Sequence, residues 1–198
     1  MVPCPKPESP PLTPILVALV ACHHIDDLPV LDGEHCASDR EEPVECVLDG
    51  DTVGVGGEAA LVDDSGTADS GINENACSSE SIRLLGVDAP EIAHNSSEKA
   101  ECYGDEAASY LSTMLAGQTV RLEFDVTCED KYYRTLAYAY IANDTEDQGD
   151  DVFINETIIR DGYALFYEDF GDIRQAPVLA AAQRDAESDN VGIWAECQ

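Results

Sequence analysis

A strand that runs into charge constrains this chain more than any other part of its sequence. Residues 81 to 91 read Ser-Ile-Arg-Leu-Leu-Gly-Val-Asp-Ala-Pro-Glu, an apolar run that gathers a cation, two carboxylates and a proline. Strand interiors alternate or stay apolar. Arg83, Asp88 and Glu91 therefore need an external reason to lie together, and a metal with an anionic substrate supplies one. Strict alternation places Arg83 on the face of Leu85 and Val87, and Asp88 on the other. For both to serve one site the strand must bend, and Gly86 is the place for it. Two other segments carry the same signature. Residues 47 to 53 read Val-Leu-Asp-Gly-Asp-Thr-Val, two strands joined by an acidic turn that Gly50 makes easy. Residues 130 to 138 read Asp-Lys-Tyr-Tyr-Arg-Thr-Leu-Ala-Tyr, where Arg134 opens a further strand. Two arginines and several carboxylates on strand ends describe a site for phosphodiester chemistry.

The rest of the chain supplies a scaffold of one domain, which 198 residues allow. Strands are predicted over residues 44 to 48, 52 to 55, 82 to 87, 119 to 126 and 134 to 141. The clearest helical period falls at residues 105 to 116, where Ala107, Tyr110, Leu111, Met114 and Leu115 share a face and Gly117 is the stop. These five are core. A short helix is predicted over residues 153 to 161, and a last one over 174 to 189 that tolerates Pro177 only in its first turn. Residues 56 to 81, rich in Gly, Ser, Asp and Asn, read as a loop insertion pinned by Cys77. Asn95, Asn143 and Asn155 match glycosylation sequons, which matter only in a eukaryotic secretory route.

The three charged segments, in this order, resemble the thermonuclease family, the staphylococcal-nuclease-like domains, over roughly residues 44 to 194. The resemblance implies an α+β, mainly β fold, an OB-type five-stranded barrel with three helices. It also implies a calcium-dependent nuclease that hydrolyses DNA or RNA, single strands before duplex, to 3′-phosphates. Asp51 and Asp88 match the carboxylate ligands of the calcium and the Ala89 carbonyl matches a third, hard oxygens that suit this ion better than zinc or copper. Glu91 matches the general base. Arg83 and Arg134 match the arginines on the scissile phosphate, and Lys131 and Tyr132 match positions that bind a terminal phosphate. Two positions depart from the family pattern. Ala89 stands where threonine is frequent, and Tyr133 stands where a glycine usually precedes the arginine. Asp49 has the plainer alternative of capping its turn, and Arg83 with Asp88 that of a structural ion pair. Tyr163 and Tyr167 or Phe170 are candidates to stack a base, with core packing as the alternative.

An apolar run at residues 12 to 22 is too short to span a bilayer and suits a signal-peptide core, with residues 1 to 21 as the signal. Its end, Leu-Val-Ala-Cys, resembles a bacterial lipoprotein box with Cys22 as the lipidated residue. That implies an extracytoplasmic protein held to a bacterial membrane, and a plain secretory signal cut nearby is the alternative. Residues 22 to 43 then read as an acidic tether and residues 44 to 198 as the domain. Beyond Cys4 and Cys22, six cysteines remain, an even set that reads as disulfides in an exported domain. Cys102 and Cys128 each precede a segment expected to approach the site, and are expected to pair. Cys46 with Cys77 and Cys36 with Cys197 complete the set.

The formal net charge is −31. Nucleic-acid binding draws on lysine and arginine neutralising phosphates, so this balance argues against a high-affinity, processive DNA binder. Much of the acid falls in expected loops, whereas Arg83, Lys131 and Arg134 fall inside the charged segments. An acidic exterior around a locally basic cleft is the expectation, with long-range repulsion screened at high salt. Two other functions stay open: an inactive nuclease-like binding module, favoured by the acidity and by Tyr133, and a surface calcium-binding interaction domain that uses its acidic loops. Nothing in the sequence calls for a protein partner, and a monomer is expected.

Overall fold

Strand β1 (Arg40–Val47) serves two neighbours in turn. Its first half pairs antiparallel with β5 (Thr119–Glu123), Arg40 opposite Leu122 and Pro43 opposite Thr119. Its second half pairs with β2 (Thr52–Val55), Val47 opposite Val53, and the register shifts between Val44 and Cys46. Such an irregularity bends a strand and re-aims it. β3 (Glu80–Leu84) lies antiparallel to β2, with Thr52 opposite Arg83, and parallel to β6 (Thr135–Ile141), with Arg83 opposite Leu136. β6 returns antiparallel to β5, which closes the circuit of β1, β2, β3, β6 and β5 into a five-stranded, OB-like barrel. Closure removes the open edges that a sheet would otherwise expose. A two-residue strand β7 (Val152–Phe153) extends the sheet beside β6. Two more, β4 (Val87–Asp88) and β8 (Leu165–Phe166), pair with each other.

This is a computed structural model that describes residues 36–56, 77, 80–93, 95, 97–142 and 151–197. All of them fall in one unit, Glu34–Gln198. The expected signal, the Cys22 lipidation site, most of the loop insertion and Asn143 lie outside the described residues. The first strand starts at Arg40, ahead of the expected residue 44, and so takes up the end of what reads as a tether.

Three helices of seven residues or more pack on the barrel: α1 (Gly104–Leu115), α2 (Ile154–Arg160) and α3 (Ala176–Asp189). A single turn, α4 (Ile193–Glu196), follows. α1 buries Ala107, Leu111 and Leu115 as its period predicts, with Asp105 and Glu106 in the first turn where the helix dipole favours them. α3 carries Pro177 in its first turn. Leu111, Leu115, Ile154, Ile158, Ile159 and Leu179 meet Ile82, Leu84, Leu85, Leu122, Leu136 and Tyr138 in one core, and all twelve are fully buried. β5 stops at Glu123, short of the expected Val126, which is 77% exposed. The cause is Asp125, whose carboxylate accepts from the Val126 N–H (2.8 Å), the Tyr138 hydroxyl (2.7 Å) and the Arg174 N–H (2.6 Å) and turns the chain out of the sheet.

The disulfides are Cys36–Cys128, Cys46–Cys77 and Cys102–Cys197. Cys46 with Cys77 is as expected. The expected Cys102–Cys128 and Cys36–Cys197 pairs are wrong. Because β1 pairs with β5 from Arg40 onwards, Cys36 is carried to the chain leaving β5, where its Sγ lies 2.7 Å from the Asp125 carbonyl oxygen. Cys102 instead meets the chain beyond α4, with its Sγ 3.7 Å from the Glu196 carbonyl oxygen.

Asn155, which reads as a glycosylation sequon, is fully buried. Its carbonyl oxygen accepts the Ala139 N–H (2.9 Å), and its amide donates to the Leu85 (2.9 Å) and Ala137 (3.4 Å) carbonyls. It ties α2 to the places where β3 ends and β6 passes, and no glycan fits there. Replacing it leaves buried backbone groups without partners, each costing about 1–3 kcal/mol. Asn155→Leu is therefore expected to lower unfolding stability by about 2–4 kcal/mol in a denaturant titration, whereas Asn95→Leu, at an exposed sequon, leaves it within about 0.5 kcal/mol.

Candidate functional site

The site begins where β2 and β3 pair. The register that sets Thr52 opposite Arg83 brings Asp51 against the arginine, and the Leu84 N–H donates to the Asp51 carbonyl (2.8 Å). Asp51 and Arg83 are 2% and 7% exposed. One Arg83 Nη contacts Asp51 Oδ1; the other donates to the Val87 carbonyl (2.9 Å) and to Asp88 Oδ1 (3.3 Å). Asp51 Oδ1 also accepts the Thr52 hydroxyl (3.1 Å), and Oδ2 accepts the Ala89 N–H (2.8 Å). Burial pushes the Asp51 carboxyl well above the ordinary carboxylate range and nearby Asp49 adds to this, while Arg83 and the Ala89 N–H oppose it.

Arg83 and Asp88 meet because the strand does bend at Gly86, in the left-handed region at φ +78°. A side chain there would also run into Leu179 and Ile173. Gly50 has a different reason. A Cβ at that position would stand 2.5 Å from the Ala89 Cβ and 2.9 Å from that of Ala107, so the acidic turn needs glycine for close approach. Asp49 caps this turn by accepting the Asp51 N–H (3.0 Å).

Arg134 arrives from the turn before β6 and donates from Nη1 to Thr52 Oγ1 (3.3 Å). Arg83, Asp51, Thr52 and Arg134 thus form one continuous chain of contacts. The organiser of Arg134 is Asp130. It accepts the Tyr132 N–H (2.8 Å) and Arg134 N–H (3.0 Å) on one oxygen and Arg134 Nε (2.7 Å) on the other. Burial alone would raise the Asp130 carboxyl, but these hydrogen bonds outweigh it and hold the group below its usual range. Lys131 Nζ lies 4.9 Å, and Arg134 Cζ 5.5 Å, from the centre of the Tyr132 ring. Tyr133 has φ +64°, a conformation that glycine takes without strain.

Of the residues singled out in the sequence, Asp51, Arg83, Asp88, Ala89 and Arg134 come together, and Lys131 and Tyr132 stand on the turn that carries Arg134. Glu91 is exposed just beyond Pro90. Its N–H donates to Glu101 Oε2 (3.2 Å), its carbonyl accepts the Glu101 N–H (2.9 Å), and Gly104 packs against that carbonyl. The sequence reading passed over Thr52 and Asp130, although both stand inside the quoted segments. Tyr163 is stacked between Tyr110 (4.0 Å) and Tyr103 (5.4 Å), and Tyr167 packs edge-on against Phe170 (4.9 Å), so each of these half-buried rings has a partner inside the molecule.

Two guanidinium groups and two carboxylates thus meet beside a closed, OB-like barrel, a set of charges suited to an anionic ligand. Comparison with known proteins gives the family. The family profile for staphylococcal nuclease homologues matches residues 81–196. The thermonuclease of Staphylococcus intermedius is 33% identical over 153 residues, 76% of this chain and 74% of that protein. The thermonuclease of Staphylococcus hyicus is 29% identical over 160 residues, 80% of this chain and 78% of that one. Endonuclease Htp3 of Saprolegnia parasitica is 27% identical, covering 86% of this chain. The chain belongs to the staphylococcal nuclease family. Its three disulfides suit an oxidising, extracytoplasmic setting.

The Asp130 contacts make a pH prediction. Its folded pKa is depressed, so its stabilising contribution is full above the unfolded value of about 3.9 and is lost as pH falls through the folded value. The stability gap between the wild type and Asp130→Asn is expected to be widest near neutral pH, at about 1–3 kcal/mol. It should narrow below about pH 4 in urea titrations run at stepped pH.

Proposed function

We propose that this protein is a calcium-dependent extracytoplasmic nuclease that hydrolyses phosphodiester bonds of single-stranded DNA or RNA and leaves 3′-phosphates. The observation that carries this reading is the single chain of contacts through Arg83, Asp51, Thr52 and Arg134, beside a half-exposed Asp88. In it, two guanidinium forks are available to a phosphate that gains charge as water adds. Attack forms the new P–O bond, the P–O5′ bond breaks, and the released 5′ oxygen takes a proton from solvent. Glu91 takes the proton of the attacking water. Arg83 and Arg134 stabilise the added negative charge, and Arg134 also serves the leaving 5′ oxygen. Lys131 and Tyr132 hold a terminal phosphate.

The residues present fit calcium in donor chemistry. The Asp51 and Asp88 carboxylates with the Ala89 carbonyl are hard oxygens, and Asp51 Oδ2 accepts only one described donor, which leaves it a lone pair. Among the described residues no group of three or more His, Cys, Asp or Glu is placed to hold a metal, so this smaller set is the candidate. When bound, the ion supplies charge stabilisation to the phosphate and helps place the water. Export with a lipid anchor at Cys22 completes the proposal.

A binding module without turnover is the second reading, favoured because the Arg83 Nη groups are already committed to Asp51, Val87 and Asp88. Cleavage of denatured DNA by the oxidised protein, with calcium or with chelator, separates the two. Calcium-dependent cleavage is expected, and Glu91→Gln and Arg134→Lys should each lower kcat on the order of a hundredfold with substrate still bound. Unchanged turnover in Glu91→Gln would falsify the assigned chemistry, and binding without cleavage in the wild type would support the module.

A further inference from the structure

Tyr133 is 86% exposed and sits at φ +64°, a conformation that side chains of its size rarely adopt. The turn imposes that conformation. The Tyr133 N–H donates to the Asp130 carbonyl (3.0 Å), while the Asp130 carboxylate holds the residues on either side. Glycine would fill the position without strain. The tyrosine ring gains nothing inside the molecule to offset this: among the described residues it meets no other ring and no cation, unlike Tyr132, which has Lys131 and Arg134 beside it. An aromatic ring held in water at a strained position, one residue before a phosphate-site arginine, calls for an external partner with an apolar face.

Charge points to the same partner. The chain carries a net charge of −31. Arg40, Arg83, Arg121, Arg134, Arg160 and Arg174 each already contact a carboxylate. Affinity from neutralised phosphates is therefore scarce, whereas stacking on a base does not depend on net charge and every base has a face to offer. Bases in a duplex are stacked on each other, so an exposed ring selects unpaired ones. We propose that Tyr133 is a stacking platform for an unpaired nucleotide base next to Arg134. The proposal rests on the nuclease reading only for its class of ligand.

The test measures binding and turnover separately. A fluorescein-labelled oligothymidylate and an abasic strand of the same length are titrated into wild type, Tyr133→Gly and Tyr133→Phe in chelator, and KM and kcat are then measured with calcium. Tyr133→Gly should bind the oligothymidylate about tenfold more weakly, lose the advantage of that strand over the abasic one, and raise KM more than it changes kcat. Tyr133→Phe should keep wild-type affinity. Glycine also relieves the turn, so an unchanged or raised Tm in Tyr133→Gly shows the fold is intact. Equal affinity of Tyr133→Gly and wild type for the oligothymidylate, or equal wild-type affinity for both strands, overturns the proposal. A wild type that binds with this Tyr133 dependence and does not cleave overturns the nuclease reading alone.

Discussion

The buried contact between Asp51 and Arg83 is the constraint on which the site depends. Taking two charges out of water costs several kcal/mol per ion, recovered only when the remaining donors and acceptors are met. Here the Ala89 N–H, the Thr52 hydroxyl, the Val87 carbonyl and Asp88 meet most of them, and Arg83 Nε alone of the pair's polar atoms is buried without a partner among the described residues. Each of those partners comes from a different constraint of the fold. Thr52 follows from the β2–β3 register, Val87 and Asp88 from the bend at Gly86, and Ala89 from the close approach that Gly50 permits. A slip of one residue between β2 and β3 would send Arg83 to the other face and leave Asp51 buried and alone. The charges that make the site chemically useful are thus the ones that make its register costly to change.

How much of this the sequence carries depends on the range of the interaction. The bend at Gly86 is legible because two charged residues cannot reach one site from opposite faces of a straight strand. α1 is legible because its period is local. Gly50 is legible as a glycine turn, but the reason is non-local: two alanine methyl groups, one from the turn after Asp88 and one from α1, occupy the space beside it. The disulfides show the same limit. Nearness of Cys102 and Cys128 to site segments says nothing about the distance between their own Cα atoms. The true partner of Cys128 follows only once β1 is known to start at Arg40 and to run along β5. Cys77 was within reach because it lies next to a strand that pairs with β2, which in turn pairs with the strand holding Cys46.

Thr52 and Asp130 were passed over because neither need touch substrate to matter. Sequence reading finds groups by the chemistry they perform, and these two act through the groups they hold. Asp130 fixes the backbone of its turn and the direction of the Arg134 guanidinium with a single carboxylate. An arginine has several rotatable bonds, and the entropy lost in aiming it must be met somewhere. Here it is met before substrate arrives, by a side chain four residues earlier. The signal that would have found Asp130 is its place at the head of a tight turn that ends in Arg134, an arginine the sequence already singles out.

The acidity of the chain bears on the same turn. With carboxylates in excess, most described arginines are drawn into ion pairs on the surface, and exposed pairs of this kind add little stability. Their effect is to remove positive charge from the exterior, which leaves the region around Lys131, Tyr132 and Arg134 distinct by contrast. Its cations lie on an aromatic ring, and its arginine is aimed by one carboxylate, of which one oxygen takes two backbone N–H groups and the other takes Arg134 Nε. Salt shortens the reach of the surrounding negative field to about 8 Å at physiological ionic strength. Within that distance, contacts between neighbouring groups decide what binds. A protein of this charge that receives a polyanion therefore needs a place where short-range geometry has been fixed in advance, and such fixing is what the Asp130 carboxylate gives its turn.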